Sequence, residues 1–234
     1  MANNSKLYKS QLATFDRNAK YTPLQAFEAV IKMPHVKFNE TVEVAFKLGV
    51  DTKKSDQTVR GAVPLPKGTG KAVTVAVVAD GNSAAAAKEA GAEHVGFDDL
   101  IEKIKGGWLE FDVLIATPEA MKQVRQLGRI LGPRGLMPNP KTGTVTDDCG
   151  AAVREAKAGR VEFRADRGGC VHVPVGKVDF AAVDLNENFE VVFRALMRAK
   201  PAAAKGVYML SCTVSSTMSP GIKVDVRELV RAMQ

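Results

Sequence analysis

The sequence has few cysteines and no long apolar run, and both absences restrict what the protein can be. Its three cysteines, Cys149, Cys170 and Cys212, are widely spaced and form no CxxC pair or Cys/His cluster. This spacing argues against a structural zinc site and favours a reducing compartment. No segment approaches the roughly 20 apolar residues of a transmembrane helix, and residues 1–21 lack the apolar core of a signal peptide. We therefore expect no membrane partner and a cytoplasmic location.

The motifs of the common enzyme classes are also missing. The segment KGTGK at residues 67–71 differs from a phosphate-binding loop, because Leu65 stands where a glycine is required and Ala72 where a hydroxyl is required. No GxSxG motif occurs, and the three histidines are isolated. The acid pairs at residues 98–99 and 147–148 lie where helices are expected to begin, which favours capping over acid–base catalysis. We predict a protein that is not an enzyme and that needs no cofactor and no metal.

Acidic residues are missing from one long segment, GRILGPRGLMPNPKTGTV at residues 128–145. It contains four glycines, three prolines and three basic residues. This composition disfavours a helix or a central strand, so it predicts an irregular loop. Loops of this length in compact domains are usually functional or disordered, and this one has apolar residues that can anchor it. Arg129, Arg134 and Lys141 could face an anion, and a rigid connector with solvated cations is the alternative.

The middle of the chain alternates strand and helix patterns. Apolar, valine-rich runs at residues 72–79 and 111–117 suit buried parallel strands, with a brief strand near residues 94–95. Capping residues, prolines and glycines predict helices around these strands. The predicted helices cover residues 83–90 with Ser83 as the cap, residues 98–105, a start at Thr117-Pro118-Glu119, and residues 147–158. This order predicts a Rossmann-like α/β domain, on which a nucleotide-binding enzyme is the alternative function.

The flanking segments alternate apolar and polar residues, which is typical of antiparallel strands with one solvated face. Residues 41–50 show the clearest strand pattern, and residues 59–65 are predicted to pair with them. Residues 161–164 and 170–175 are predicted to form a hairpin across Gly168-Gly169. The other predicted elements are a helix at residues 184–199 and strands at residues 207–217 and 222–226.

Charge separates the flanks from the middle of the chain. Residues 68–159 carry 11 basic and 12 acidic side chains, whereas the flanks carry 22 basic and 14 acidic ones. We therefore predict an α/β protein of two domains. A discontinuous α+β domain with an antiparallel sheet covers residues 1–67 plus 160–234, and a Rossmann-like α/β domain is inserted at residues 68–159. Glycines at the two crossings would allow a hinge; they are Gly68, Gly70 and Gly159.

The net charge of +7 and the sequence pI of about 9.3 favour a polyanionic partner, with nucleic acid ahead of an acidic membrane surface. Nucleic-acid binding needs cations for phosphates, and hydroxyl or aromatic groups for sugars and bases. Residues 37–43 (KFNETVE) and 214–221 (VSSTMSPG) offer such groups at predicted strand ends. Arg160, Arg164 and Arg167 add cations to the predicted hairpin. The alternatives are structural: a core phenylalanine, a plain turn with solvated serines, and solvated cations.

Several blocks of the sequence closely resemble the ribosomal protein L1 family, the proteins of the large-subunit stalk beside the tRNA exit site. Besides the acid-free segment, these blocks are VKFNETVEV, SDQTVRGAVPLPKGTGK, AGAEHVG, FDVLIATPEAM, KAGRVEFRADRGGCVHVPVGK and SSTMSP. They follow the family's order and span about Lys20 to Val226. The resemblance implies a bacterial type of chain, a two-domain fold with a discontinuous first domain, and a structural role on the ribosome.

The resemblance also implies partners. They are the stalk rRNA of the large ribosomal subunit, the deacylated tRNA that leaves the exit site, and the mRNA of the protein's own operon, whose translation it would repress. We further expect a monomer when the protein is free of the ribosome.

The resemblance assigns candidate contacts by position. Contacts with rRNA would fall to Lys37, Phe38, Thr41, Glu43, Arg164, Asp166, His172, Ser211, Thr217, Met218 and Ser219. Contacts with the tRNA elbow would fall to Lys53, Lys54, Arg60 and Arg167. Ser219 departs from the family, which usually has a glycine after the Thr-Met pair, and glycine would permit a positive φ or a close approach of RNA. The acid-free segment would mainly be a structured part of the second domain, touching RNA through Arg129, Arg134 or Lys141.

Overall fold

The computed structural model describes residues 5–232, which form a mixed α/β structure with antiparallel and parallel sheets. The strands are β1 (Thr41–Leu48), β2 (Arg60–Pro64), β3 (Val75–Val78), β4 (His94–Gly96), β5 (Val113–Ala116), β6 (Arg160–Arg164), β7 (Cys170–Lys177), β8 (Met209–Ser216) and β9 (Ile222–Val224). The helices are α1 (Lys6–Leu12), α2 (Pro23–Lys32), α3 (Gly81–Glu89), α4 (Asp98–Lys105), α5 (Met121–Val124), α6 (Gly128–Leu131), α7 (Cys149–Gly159), α8 (Ala182–Arg198) and α9 (Val226–Ala232).

The internal contacts divide the chain into two compact units. The residues up to Gly70 and those from Val161 onward form one, which we call the basic unit, and Lys71–Arg160 form the other, the inserted unit. The division falls close to the boundaries predicted at residues 68 and 159. That the two units behave as separate domains stays a prediction.

The basic unit is built on an antiparallel sheet with the strand order β7-β1-β8-β9. The alternation predicted for β1 is present, since Val42, Val44, Phe46 and Leu48 are buried. Helices α2 and α8 cover the buried face of this sheet. Phe46 stacks on Phe189 of α8, with 5.9 Å between ring centroids. Because the helices occupy one face, the polar side chains of the strands point to the other.

Two strand pairings differ from the prediction. Strand β2 pairs with β6 in a separate two-stranded sheet and not with β1. Strands β6 and β7 are joined by a turn at Gly168-Gly169, but they enter different sheets, so the predicted hairpin is wrong. Packing explains the observed pairing, because a Cβ on Gly61 of β2 would lie only 2.7 Å from Cζ of Phe163 on β6. The aromatic ring of β6 therefore lies directly on the glycine backbone of β2.

The inserted unit has a parallel sheet with the order β4-β3-β5. All residues of β3 are buried, as expected for a strand that is covered on both faces. Helices α3 and α7 pack on one face, and α4, α5 and α6 pack on the other. Helix α4 has the predicted bounds, Asp98–Lys105. The alternation of strand and helix patterns therefore predicted this layered arrangement correctly.

Two helix starts in the inserted unit differ from the prediction. Asp80 caps α3 by accepting a hydrogen bond from the Gly81 N–H at 2.7 Å. Ser83, the predicted cap, instead donates its hydroxyl to the carbonyl of Asp147 at 3.2 Å. Thr117 starts a turn in which its Oγ1 accepts from the Ala120 N–H, and the helix follows only from Met121 onward.

The acid-free segment at residues 128–145 is more regular than predicted. Its first four residues form α6, so the prediction that it contains no helix is wrong. Glycine costs about 1 kcal/mol in a helix, and the complete burial of Leu131 outweighs this cost. Further on, the carbonyl of Asn139 accepts hydrogen bonds from the N–H groups of Thr142 and Thr144. Val145 then forms a parallel bridge with Ala116 of β5, which fixes the end of the segment to the sheet.

Candidate nucleic-acid interface

The sheet face opposite α2 and α8 carries small and polar side chains, and we call it the open face. The strand register places its residues in three rows, Pro174–Glu43–Ser215, His172–Ala45–Thr213–Lys223 and Cys170–Lys47–Ser211. These positions alternate with the buried ones, as the period of two in a strand requires. Hydroxyls, an imidazole and ammonium groups on one sheet face can bind the sugars and phosphates of a nucleic acid.

Two predicted segments meet at one end of the open face, the residues before β1 and the turn after β8. Thr217 Oγ1 accepts a hydrogen bond from the Thr41 N–H at 3.1 Å and donates to the Thr41 carbonyl at 3.4 Å. Lys177 Nζ donates to Thr41 Oγ1 at 2.7 Å. Phe38 and Met218 on these segments are 54% and 52% exposed, although both side chains are large and apolar. The structure therefore brings Thr41 and Thr217 together and leaves two apolar side chains open to a partner.

Ser219 closes the turn after β8. Its N–H donates to the Ser216 carbonyl at 3.2 Å, and its Oγ accepts from the Ser216 N–H at 2.8 Å. Every positive φ within residues 5–232 belongs to a glycine, so the turn does not require the glycine that the family usually has here. The serine leaves the turn formed and adds a hydroxyl that holds it closed.

Asp166 shapes the turn at the opposite end of the open face. Its Oδ1 accepts a hydrogen bond from the Cys170 N–H at 2.7 Å. This bond lowers the pKa of the Asp166 carboxyl against the opposing effect of burial, with help from the Gly168 N–H and the charges of His172 and Lys47. Lys47 Nζ in turn donates to the Gly168 carbonyl. The Asp166 carboxylate is thus engaged within the protein, next to the end of the open face that carries Lys47.

The remaining predicted cations do not lie on the open face. Arg164 is on β6, which pairs with the strand that begins at Arg60. Thr52 Oγ1 donates to the Arg167 carbonyl at 2.9 Å, which joins the loop of Lys53 and Lys54 to the turn of Arg167. Arg164 therefore groups with the residues predicted to contact tRNA. We call this set the loop cluster; it comprises Lys53, Lys54, Arg60, Arg164 and Arg167.

Arg160 does not belong to the loop cluster. Its guanidinium pairs with Glu155 at 2.7 Å, and both residues lie in the inserted unit. The hairpin prediction that grouped Arg160 with Arg164 and Arg167 is therefore wrong for this side chain.

A groove of about 660 Å³ extends the open face beyond β9 toward α9. Exposed Val207 and Leu210 contribute apolar walls. Four cations also line it, namely Lys20, Lys223, Arg227 and Arg231. In the described part of the chain, none of these four forms an ion pair. The one sequence signal for this groove is the four-residue spacing of Arg227 and Arg231, which places both on one side of a helix.

Comparison with known proteins decides the family. Residues 28–220 match the model of the family described as Ribosomal protein L1p/L10e. The chain belongs to the ribosomal protein L1 family. It is also 51% identical over 230 residues to the Large ribosomal subunit protein uL1 of Chlamydia pneumoniae, a match that covers 98% of this chain and 99% of the relative. The resemblance seen in the sequence blocks is confirmed, and the chain is a ribosomal protein.

Among residues 5–232, no helix is long and apolar enough to cross a bilayer. No three His, Cys, Asp or Glu side chains in that range gather in a way that could hold a metal ion.

The structure locates the residues predicted for the second domain and for the hinge, whose roles stay predictions. Arg129 and Arg134 are exposed on the acid-free segment, and Lys141 lies in its turn at Pro140–Thr142, with a side chain outside the described residues. The three glycines predicted to allow a hinge have positive φ: Gly68 at 69°, Gly70 at 70° and Gly159 at 101°. Asn188, which is fully buried, accepts from the Lys67 N–H and donates to the Gly68 carbonyl. Gly68 is therefore fastened to the basic unit.

Sequence patterns did not single out three charged residues that the structure places at the interface. Lys47 could have been found, because it lies two and four positions along β1 from Ala45 and Glu43 on the same face. Lys177 reaches Thr41 only through the pairing of β1 with β7. Glu40 carries no local signal at all, since its partners include residues more than a hundred positions away in the sequence.

Proposed function

We propose that this protein is a component of the large ribosomal subunit that binds rRNA of the mobile stalk through the open face. One observation carries the proposal: the end of that face joins Thr41 and Thr217 and exposes Phe38 and Met218 beside them. RNA recognition commonly combines stacking on exposed side chains with hydrogen bonds to 2′-hydroxyl groups. The rRNA contacts would be Lys37, Phe38, Thr41, Glu43, His172, Ser211, Thr217, Met218 and Ser219.

The distribution of charge supports an rRNA site on the basic unit. The excess of basic residues lies in the flanks of the chain, which form the basic unit. Phosphate neutralisation by Lys and Arg provides much of the affinity of proteins for nucleic acids. Asp166 would contribute to rRNA binding by shaping the turn beside His172. Arg164 would contact rRNA from the loop cluster.

A second contact would serve tRNA. Besides Arg164, the loop cluster contains Lys53, Lys54, Arg60 and Arg167, so a second polyanion could bind these four cations while rRNA occupies the sheet. We assign this contact to deacylated tRNA at the exit site, whose release the protein would assist. Arg129, Arg134 and Lys141 on the inserted unit would add minor RNA contacts. Motion between two domains about Gly70 and Gly159 would accompany these contacts.

The same open face would bind the mRNA of the protein's own operon and repress its translation when the protein is free. Both RNAs would use one site, because repression of this kind requires only that the mRNA form a structure similar to that of the stalk rRNA. The free protein would be a monomer in the cytoplasm, without cofactor or catalysis.

A binding titration tests the proposal directly. The protein is titrated against a stalk rRNA fragment, with tRNA and duplex DNA as controls, at fixed salt. We expect the rRNA fragment to bind far more tightly than duplex DNA. Equal affinity for all three nucleic acids would reduce the surface to a nonspecific cationic patch and overturn the proposal.

Two further measurements separate the alternatives. Cosedimentation with large ribosomal subunits at moderate salt distinguishes a resident ribosomal protein from a repressor that acts only off the ribosome. Nucleotide binding by the inserted unit would favour the α/β enzyme hypothesis. The structure places the acidic cap Asp80 directly after β3, where a phosphate-binding enzyme needs a glycine-rich cradle.

A further inference from the structure

Glu40 is a buried acid of the basic unit, and it lies directly under the proposed rRNA interface. Its side chain is completely buried. One oxygen, Oε1, accepts from the Val36 N–H at 3.1 Å and lies 3.3 Å from His35 Nδ1. The other, Oε2, accepts from Ser216 Oγ at 2.5 Å and from the Met218 N–H at 3.0 Å. Four hydrogen-bond partners offset part of the free-energy cost of burying a charged carboxylate.

These four partners belong to the two segments that carry the recognition residues. Val36 and His35 lie just before Lys37 and Phe38. Ser216 and Met218 flank Thr217. The carboxylate therefore ties the segment of Phe38 to the turn of Met218 through one side chain. The Glu40 backbone adds a third tie, because its carbonyl accepts from the Val178 N–H after β7 at 3.1 Å.

We propose that Glu40 is the positioning residue of the rRNA interface: it sets the spacing of Phe38 and Met218 without touching RNA itself. The inference rests on the proposed function of the open face. Because Glu40 is buried beneath the segments it joins, RNA bound above them has no access to the carboxylate. Its influence on binding must pass through the backbone at residues 36 and 218.

Glutamine is an informative replacement, because it keeps the size of the side chain and changes only its hydrogen-bonding chemistry. An amide offers one oxygen and one NH₂ group where the carboxylate offers two acceptors. One pair of donors, at residues 35–36 or at residues 216–218, would then face an NH₂ group. One of the two segments should therefore be released while the sheet stays folded.

Asn188→Asp provides a matched control within the basic unit. Asn188 is also fully buried, and its NH₂ group donates to the carbonyls of Gly68 and Val175. Aspartate removes both donors, so this variant loses buried hydrogen bonds of similar number. None of its partners lies on the segments of Phe38 or Met218. A general loss of stability should affect both variants, whereas a loss of positioning should affect only Glu40→Gln.

The experiment measures the dissociation constant for the stalk rRNA fragment at a temperature where circular dichroism shows each variant folded. We expect Glu40→Gln to weaken binding about tenfold, in line with the loss of one or two buried hydrogen bonds. Asn188→Asp should bind like the wild type. The salt dependence of Glu40→Gln should keep the wild-type slope, because no phosphate contact is removed.

A double-mutant cycle with Phe38→Ala adds a readout that a purely structural role would not change. If Glu40 acts by placing Phe38 and Met218, then Glu40→Gln should cost less affinity in the Phe38→Ala background than in the wild type. Additive effects would overturn the inference, as would wild-type affinity in folded Glu40→Gln. If Glu40→Gln does not fold, Ser216→Ala removes a single buried partner of the carboxylate. It should weaken binding and show the same coupling to Phe38→Ala, and its failure to do either would also overturn the inference.

The two proposals fail in different ways. If the wild type does not prefer the rRNA fragment over duplex DNA, the proposed function of the open face is lost and the role of Glu40 with it. If the wild type binds and Phe38→Ala weakens binding while Glu40→Gln does not, the open face stands and only the positioning role is lost.

Discussion

Thr217 serves the fold and the proposed interface with one hydroxyl. Its Oγ1 accepts from the Thr41 N–H and donates to the Thr41 carbonyl, which fastens the end of β8 to the start of β1. A hydroxyl oxygen has two acceptor lone pairs. One lone pair is therefore left for a donor from outside, and a ribose 2′-hydroxyl is such a donor.

Thr217→Val should weaken binding of stalk rRNA by about 1–3 kcal/mol, because it removes the hydroxyl and leaves the Thr41 N–H without its partner. Thr217→Ser keeps the hydroxyl and should bind within about twofold of the wild type. The measurement is the dissociation constant of each variant at one salt concentration. An unchanged constant for the valine variant would remove Thr217 from the interface.

The hydrogen bonds of Glu40 should make the stability of the folded protein fall in acid. Burial alone would raise the pKa of its carboxyl, but hydrogen bonds from Ser216, Met218, Val36 and His35 lower it below the ordinary value of 4.5. Because the pKa is lower in the folded state, the unfolded chain takes up a proton first. The stabilisation by Glu40 is therefore present above the unfolded-state pKa and is lost as the pH falls through the folded-state pKa. Among the described hydrogen-bond partners of this carboxyl, His35 is the other titratable group.

We expect the free energy of unfolding of the wild type to fall more steeply than that of Glu40→Gln between about pH 5 and pH 3. Denaturant titrations of both proteins across this range give the two curves. Their difference isolates Glu40 from the other carboxyls, which titrate in both proteins. Curves that stay parallel would show that Glu40 is not stabilised as a carboxylate.

Single residues show that the sequence indicates which segments carry binding side chains better than it indicates which residues contact each other. Phe38 is exposed, so the alternative of a core phenylalanine is wrong. The hydrogen bond between Thr41 and Thr217 joins residues 176 positions apart, and no local pattern indicates such a pair. Glu40 lies in a segment of alternating polar residues, where nothing distinguishes a buried acid from a solvated one. Its burial follows only from the folded arrangement of β1 and β8.

At the scale of elements, periodicity predicted the strands and left their partners undetermined. The alternation of β1 and β8 identifies one buried and one open side of each strand. Pairing depends on which surfaces fit together in the folded unit. The small residue Gly61 on β2 fits the ring of Phe163 on β6, and this fit brings those strands together instead of β2 and β1.

Gly61→Ala should destabilise the basic unit by about 1–3 kcal/mol, because the added methyl group would overlap the Phe163 ring in a packed core. Phe163→Leu should recover part of this loss in the double variant, since leucine is smaller at that point. Gly128→Ala on α6 is the control, because a Cβ there meets nothing within 4 Å. It should stabilise its helix by roughly 0.5–1 kcal/mol. Thermal unfolding compares the wild type with Gly61→Ala, Phe163→Leu, their double variant and Gly128→Ala. Additive effects of Gly61→Ala and Phe163→Leu would contradict the observed contact.

At the scale of the whole molecule, charge and chain order predict two domains, which stays a prediction. The basic excess of the flanks indicated that they fold together around a neutral insertion, and the internal contacts divide the chain close to those positions. Charge counts do not show where on the basic unit the cations lie. Lys223, Arg227 and Arg231 lie on β9 and α9 near the end of the chain, and only the fold brings the distant Lys20 to the same groove.

If bound RNA extends past β9, the salt dependence of binding should include a contribution from the groove cations. For the wild type, the logarithm of the binding constant should fall with the logarithm of salt concentration by about 0.7–0.9 per phosphate neutralised. Arg227→Gln with Arg231→Gln should make this slope shallower by that amount for each phosphate that the variant no longer neutralises. Lys103→Gln with Lys105→Gln, on α4 of the inserted unit, removes the same charge and should keep the wild-type slope.

The two double variants separate a local contact from the overall charge. If both slopes change equally, the protein attracts RNA only through its net charge, and RNA does not contact the groove cations. If only the α9 variant changes, RNA crosses the edge of the sheet and continues along the helix. A flat response of the wild type would mean that the basic unit does not bind RNA through its phosphates, because each neutralised phosphate must release counterions.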